Sequence, residues 1–300
     1  MTAGSSSEAP VVVRRQQSRW SQAADRRKRQ IDRARGTGLG LAVAGAVAGT
    51  AASQVTGSSP ATGRVLAFVA ALAIGLAALA QRNASGSAVE EWTRLRSISE
   101  ALKAELYTYL AGAGRYRTEH RNQRLLDRMD QFVAEAGRLN ARIAGVEAAD
   151  GELPRVADID SYLTLRVRDQ VLNYYRPRER RMDRRAAAFR RAQWVLAVAG
   201  TALAALAGVT QTEALAAWIG VVTTVAATVT THVAAARFEY QQLEYARTAN
   251  VLESLAARWR DTTEHGAHEA DRLVQRVEEI ISVQNEGWLV RWSTDHGETP

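Results

Sequence analysis

The chain carries no charged residue over 36–63, 65–81, 192–212 and 214–236, and single charges, Arg64 and Glu213, divide each pair of runs. An α-helix rises about 1.5 Å per residue, so about 20 residues match a hydrocarbon core about 30 Å thick. Spans are therefore predicted over about 36–55, 65–81, 192–212 and 214–236, joined by tight tips into two helical hairpins. The expected fold class is all-α, a membrane protein with two transmembrane hairpins and long cytoplasmic helices. Mean hydropathy is only −0.24, because the apolar runs are averaged with strongly polar ones. The competing reading is two buried, alanine-rich hairpins inside a soluble bundle.

Where the arginines fall separates these readings. The formal charge is +7 and the only lysines are Lys28 and Lys103. Arg26, Arg27, Lys28, Arg29, Arg33 and Arg35 precede the first span; Arg176, Arg178, Arg180, Arg181, Arg184, Arg185, Arg190 and Arg191 precede the third. The tips hold only Arg64 and Glu213. Basic flanks are retained on the cytoplasmic side, which places the tips outside and both termini in the cytoplasm. The expected location is the bacterial inner membrane. The first apolar run begins after 35 polar and basic residues, a poor fit to a cleaved leader. Absence of cysteine excludes disulfides and thiol chemistry.

The order of segments repeats. Leu41-Ala-Val-Ala-Gly45 recurs as Leu196-Ala-Val-Ala-Gly200, and at the same offset Arg35, Arg29, Arg26 and Trp20 fall on Arg190, Arg184, Arg181 and Tyr175. After the hairpins, Trp92, Arg94, Glu100 and Leu102 correspond to Tyr245, Arg247, Glu253 and Leu255. This is the signature of a duplicated unit, with a disordered segment at 1–14, a first module at 15–150 and a second at 151–300. Both copies run the same way, unlike the inverted repeats of many transporters. Apolar spacing predicts cytoplasmic helices over 97–110, 117–146 and 161–175.

Within the spans, Gly36, Gly40, Gly45 and Gly49 are candidate helix-packing positions. The fourth span is polar without being charged, and Thr224, Thr228 and Thr231 share a helical face as candidate pore-lining residues. A threonine hydroxyl can equally bond its own helix. Trp194 and Trp218 are candidate membrane-interface anchors, and Trp92, Trp288 and Trp292 fall near span ends or on amphipathic helices. His265, His268 and Glu269 form the one histidine cluster, but their order is not that of a zinc hydrolase and a third ligand is missing. There is no phosphate-binding glycine loop and no nucleophile elbow. No catalytic or metal residues are assigned; neither enzyme activity nor a cofactor is expected.

The second module, with Tyr162, Leu163, Arg166, Gln170, Tyr174 and Tyr175 before its hairpin and Tyr245, Arg247, Ala249, Glu253, Glu278, Glu279, Glu286 and Trp288 after it, resembles the SLATT domain, a two-transmembrane effector associated with SMODS nucleotidyltransferases and SLOG sensors. The first module shares the resemblance through Trp92, Arg94, Ser99-Glu100-Ala101-Leu102-Lys103, Glu105, Tyr107 and Tyr109. It spans about 15–292 and implies two tandem modules. It also implies a membrane effector in bacterial conflict or antiviral defence that oligomerises and forms or opens a pore when a nucleotide-linked sensor is triggered. The alternatives are a non-conducting membrane scaffold for a signalling partner and, from another class, a soluble basic nucleic-acid-binding helical protein. Expected partners are the lipid bilayer, further copies of the chain and a nucleotide-signalling or sensor protein, with nucleic acid disfavoured.

Overall fold

The computed structural model describes residues 8–149, 151–262 and 266–294, the side chains of 213 and 283–294 excepted. The elements are α1 (Glu8–Val55), α2 (Pro60–Arg82), α3 (Gly86–Leu110), α4 (Arg121–Ala136), α5 (Asn140–Ile143), α6 (Ile159–Tyr162), α7 (Arg176–Thr210), α8 (Glu213–Ala236), α9 (Phe238–Asp261) and α10 (Ala267–Thr294). No strand occurs among the described residues. Short 3-10 turns occupy Gly114–Tyr116 and Gly137–Leu139, and two π-helical stretches, Leu163–Arg168 and Val171–Tyr175, lie between α6 and α7.

Contacts divide the chain into two compact units. One comprises Met1–Lys28, Gly86–Glu179 and Leu243–Pro300; the other comprises Arg29–Ser85 and Arg180–Gln242. The cut follows composition and not the duplication: both hairpins fall in the second unit, while the polar helices of both modules share the first.

In the hairpin unit, α1 and α2 pack through small residues. Gly45 sits where a Cβ would come within 2.8 Å of Ile74 Cγ1 and 3.3 Å of the Ala70 carbonyl, and a Cβ on Gly38 or Gly49 would touch Gln81 or Ala70. Ala70, Ala73 and Ala77 form the opposing buried stripe. At the tip, a Cβ on Gly63 would lie 2.2 Å from Thr56 Oγ1, so only glycine fits. The other side of α2 exposes Val65, Phe68, Val69, Leu72, Leu76 and Leu79, a continuous apolar surface suited to lipid. Of the expected packing glycines, Gly45 and Gly49 meet α2, whereas Gly36 and Gly40 face open space. Gly38 takes their place because the buried face is set by the α2 alanine stripe, not by the nearest four-residue glycine spacing.

In the second hairpin Gly200 faces Val222, Gln193 Nε2 donates to Thr230 Oγ1 at 3.1 Å, and Phe189 stacks on Phe238 beside His232. Helix α7 ends at Thr210, and Gln211 takes a left-handed φ of 50° to form the tip. Arg237, at φ 49°, separates α8 from α9.

The polar unit is built around Val13, Trp20, Ala23 and Ala24 of α1, Leu95, Leu102, Leu106 and Tyr109 of α3, and Leu125 and Ala136 of α4. The expectation of disorder through residue 14 is therefore corrected from residue 8: α1 begins at Glu8 and Val13 is wholly buried. The Val11–Val13 run supplies the apolar surface that orders this segment; 1–7 lie outside the described residues. The helix predicted over 117–146 stops at Gly137, whose φ of 52° and ψ of −119° break α4.

A buried polar cluster and two threonine-bearing hairpins

From residue 162 to 171 the chain alternates two buried residues with two exposed ones: Tyr162, Leu163, Arg166, Val167, Gln170 and Val171 are inside and the intervening pairs outside, with Tyr175 buried further on. That is a four-residue repeat. An α-helix of 3.6 residues per turn rotates a four-residue ladder by about 40° per step and would carry it off the core. The π-helical stretches widen the turn and hold Tyr162, Arg166 and Gln170 on one face. Such insertions cluster at functional sites.

The face they form is polar. Arg166 Nε donates to Glu278 Oε1 at 2.9 Å and its Nη2 to Oε2 at 2.6 Å, while the Tyr162 hydroxyl donates to Oε1 at 2.8 Å. Both charged side chains are buried, Arg166 at 1% exposure and Glu278 at 9%. The Arg166 guanidinium lies 5.0 Å from the Tyr107 ring, whose hydroxyl donates to the Leu165 carbonyl at 3.3 Å. Lys103 Nζ donates to Gln170 Oε1 at 3.3 Å, and Arg96 pairs with Glu100 at 2.5 Å. Tyr174 lies between two guanidinium groups, Arg96 at 5.3 Å and Arg178 at 4.1 Å, and packs edge-on against Tyr175 and Tyr245.

This crowding shapes the ionisation. Burial, reinforced by the neighbouring Arg166, pushes the Lys103 ammonium down to about 8. Burial opposes ionisation of Glu100, but Arg96, Lys103 and Arg166 outweigh it and hold that carboxyl below its ordinary value. Burial and the adjacent Glu278 carboxylate drive the Tyr162 hydroxyl well up. Two buried atoms in the cluster, Glu100 Oε2 and Arg166 Nη1, have no protein hydrogen-bond partner. Glu100 is held ionised chiefly by Arg96 of its own helix, whereas Arg166 and Glu278 hold each other ionised across two elements; with the Lys103 and Tyr107 bonds to Gln170 and Leu165, this ties α3, the π-helical segment and α10 together.

The threonines of α8 are satisfied locally. Thr224, Thr228 and Thr231 each donate to the carbonyl four residues earlier, at 2.8, 2.8 and 3.0 Å. Thr224 and Thr231 are exposed on the chain and Thr228 is half-buried. Trp194 is 69% exposed and opens an apolar face through Val195, Val198, Leu206 and Val209; Trp218 is half-buried in its hairpin. His265 lies outside the described residues, as do the side chains of Glu286, Trp288 and Trp292; His268 is exposed, and no group of metal-ligating side chains occurs among the described residues.

Sequence reading singled out most of the cluster's members one by one, as carriers of a resemblance, but not their meeting. Tyr162, Arg166, Gln170, Tyr174, Tyr175, Tyr245, Glu278, Glu100, Lys103 and Tyr107 come from four separate stretches of the chain. Arg96 and Arg178 were missed as members, being two arginines among many.

Four helical runs are long and apolar enough to cross a membrane. Most of each apolar stretch is exposed, so among the described residues the hairpins are not buried inside the chain as the soluble-bundle reading requires. The fold thus defines an all-α membrane protein of two hairpins with a separate polar helical unit. Residues 162–288 match the family model described as SMODS and SLOG-associating 2TM effector domain 1, so this part of the chain is similar to the SLATT domain. Residues 18–124 match the model of a protein of unknown function, DUF4231. No curated protein and no solved structure matches.

Proposed function

We propose that the chain is a membrane effector of a bacterial conflict or defence system that oligomerises and opens a pore when a nucleotide-linked sensor acts on its polar unit. One observation carries the reading: the matched SLATT segment holds the buried Arg166–Glu278 cluster at the start of a helical run, Ile159–Thr210, that ends in the third span. A buried ion-paired core that leaves Glu100 Oε2 and Arg166 Nη1 without protein partners has polar groups to offer a second arrangement, and a partner that prefers that arrangement shifts the balance. The fourth span then offers Thr224, Thr228 and Thr231 to a weakly selective lumen formed by several copies. In this reading the membrane is the bacterial inner membrane and both termini are cytoplasmic.

A second reading is a non-conducting scaffold that holds a signalling partner at the membrane. It is favoured by the threonine hydroxyls, whose bonds within α8 leave them no need of water.

The two readings separate in bacterial cells expressing the full chain under an inducible promoter, with membrane potential followed by a voltage-sensitive dye. The effector reading expects depolarisation that Thr224→Ala, Thr228→Ala and Thr231→Ala together reduce. Full polarisation at high expression, both alone and with its sensor, leaves the scaffold.

A further inference from the structure

The arginines that precede the spans form a surface that the pore reading does not use. On α7 the buried face is Met182 and Ala186, and the opposite face exposes Arg180, Arg184 and Arg191, then Val195 and Val198. On α1, Arg29 and Arg33 are exposed and lead along the helix to exposed Gly36, Gly40, Ala44 and Val47. None of these five arginines has an ion-pair partner among the described residues. Acidic neighbours are few; Asp32 and Asp183 are exposed on the same helices.

The two ladders share one register position. Arg29 and Arg184 occupy the same position of the duplicated unit, seven residues before Gly36 and Arg191 respectively. At about 1.5 Å per residue, Arg191 lies about 1.5 Å below the start of the third span at Ala192, and Arg33 about 4.5 Å below Gly36. The headgroup layer is about 5–8 Å deep on each side of a bilayer, so both sit within it. Arg29 and Arg184 stand about 10–12 Å from the spans, within reach of the surface for a long side chain.

We propose that this arginine surface binds phospholipids with anionic headgroups at the cytoplasmic face, drawing them around the two entry helices in preference to zwitterionic lipid. The charge is complementary, guanidinium groups pair with phosphate in a two-pronged geometry, and the arginine face passes without interruption into an exposed apolar face. That continuity favours lipid over nucleic acid, which would have to lie against the bilayer to reach Arg191. The proposal rests on membrane insertion but not on conduction.

The test uses the full chain reconstituted in bilayers of mixed phosphatidylcholine and phosphatidylglycerol, with retained lipids counted by native mass spectrometry. Phosphatidylglycerol should be enriched over phosphatidylcholine, and high salt should erase the enrichment. Each arginine replaced in R29Q/R33Q and R184Q/R191Q should lower it about fivefold. Lysine replacements should retain most of it, which separates lost charge from lost folding, and R138Q/R258Q in the polar unit should leave it unchanged. Equal retention of both lipids by the wild type, or enrichment that persists in high salt, overturns the proposal. So does salt-dependent capture of an oligonucleotide by the same arginines without lipid enrichment, which would assign the surface to nucleic acid. Failure of insertion itself would appear separately, as loss of the chain from the bilayer.

Discussion

Arg166 and Glu278 are 112 residues apart in sequence and meet in a two-pronged ion pair with almost no access to water. Removing one member leaves the other charge buried without compensation, at a cost of about 3–5 kcal/mol. Glu278→Ala should therefore lower the unfolding temperature of the detergent-purified chain strongly. Arg166→Met with Glu278→Leu should cost far less than Glu278→Ala alone. An equal loss in the single and double variants would show that the pair does not hold α10 in place.

Lys103 gives the polar unit a pH dependence. Its folded value of about 8 lies below the ordinary 10.5. Between these values the unfolded chain holds a proton that the folded chain has released, so unfolding takes up a proton and stability rises with pH through that window. Chemical denaturation at pH 7.5 and at pH 9.5 measures the slope. Lys103→Met should flatten it, and an unchanged slope in that variant would assign the dependence to other groups.

The first hairpin distinguishes one glycine face from another. Gly45 has no room for a side chain against Ile74 and Ala70, whereas Gly40 has open space. Gly45→Val should destabilise the hairpin by about 1–3 kcal/mol through overpacking, while Gly40→Val should be near neutral in the isolated chain. Cysteine cross-linking between α1 and α2 reads the difference. At the tip, Gly63→Val should be as damaging as Gly45→Val, because its Cβ would meet the Thr56 backbone at 2.8 Å.

The spans were legible because absence of charge over about 20 residues is a one-dimensional signal that needs no partner. The duplication was legible for a similar reason, since arginines and aromatics recur at fixed offsets. What could not be read depends on neighbours. Tyr162, Arg166 and Gln170, four residues apart, look like an ordinary helix whose face drifts; only the folded backbone, π-helical at Leu163–Arg168 and Val171–Tyr175, shows that the turn widens to hold them together. Gly38 packs and Gly40 does not because the alanine stripe of α2 chooses between them. Val11–Val13 fall in the segment expected to be disordered, yet Val13 is buried in the cluster that also holds residues of α3 and α4.

The compact units also divide the chain differently from the repeat. Both modules contribute to each unit, so a cut near residue 150 should yield halves that do not fold as the intact chain does. Circular dichroism thermal melts of residues 1–150 and 151–300, separately and mixed, should show the cooperative transition only in the intact chain or the mixture.

The proposed function and the lipid-binding surface both depend on the hairpins being inserted in a bilayer. Alkaline carbonate extraction of membranes from cells expressing the full chain measures that directly. The account predicts that the protein stays in the pellet with integral markers. Release into the supernatant would contradict it, leaving a peripheral helical protein whose exposed Phe68, Leu72, Trp194 and Val209 would need another apolar partner.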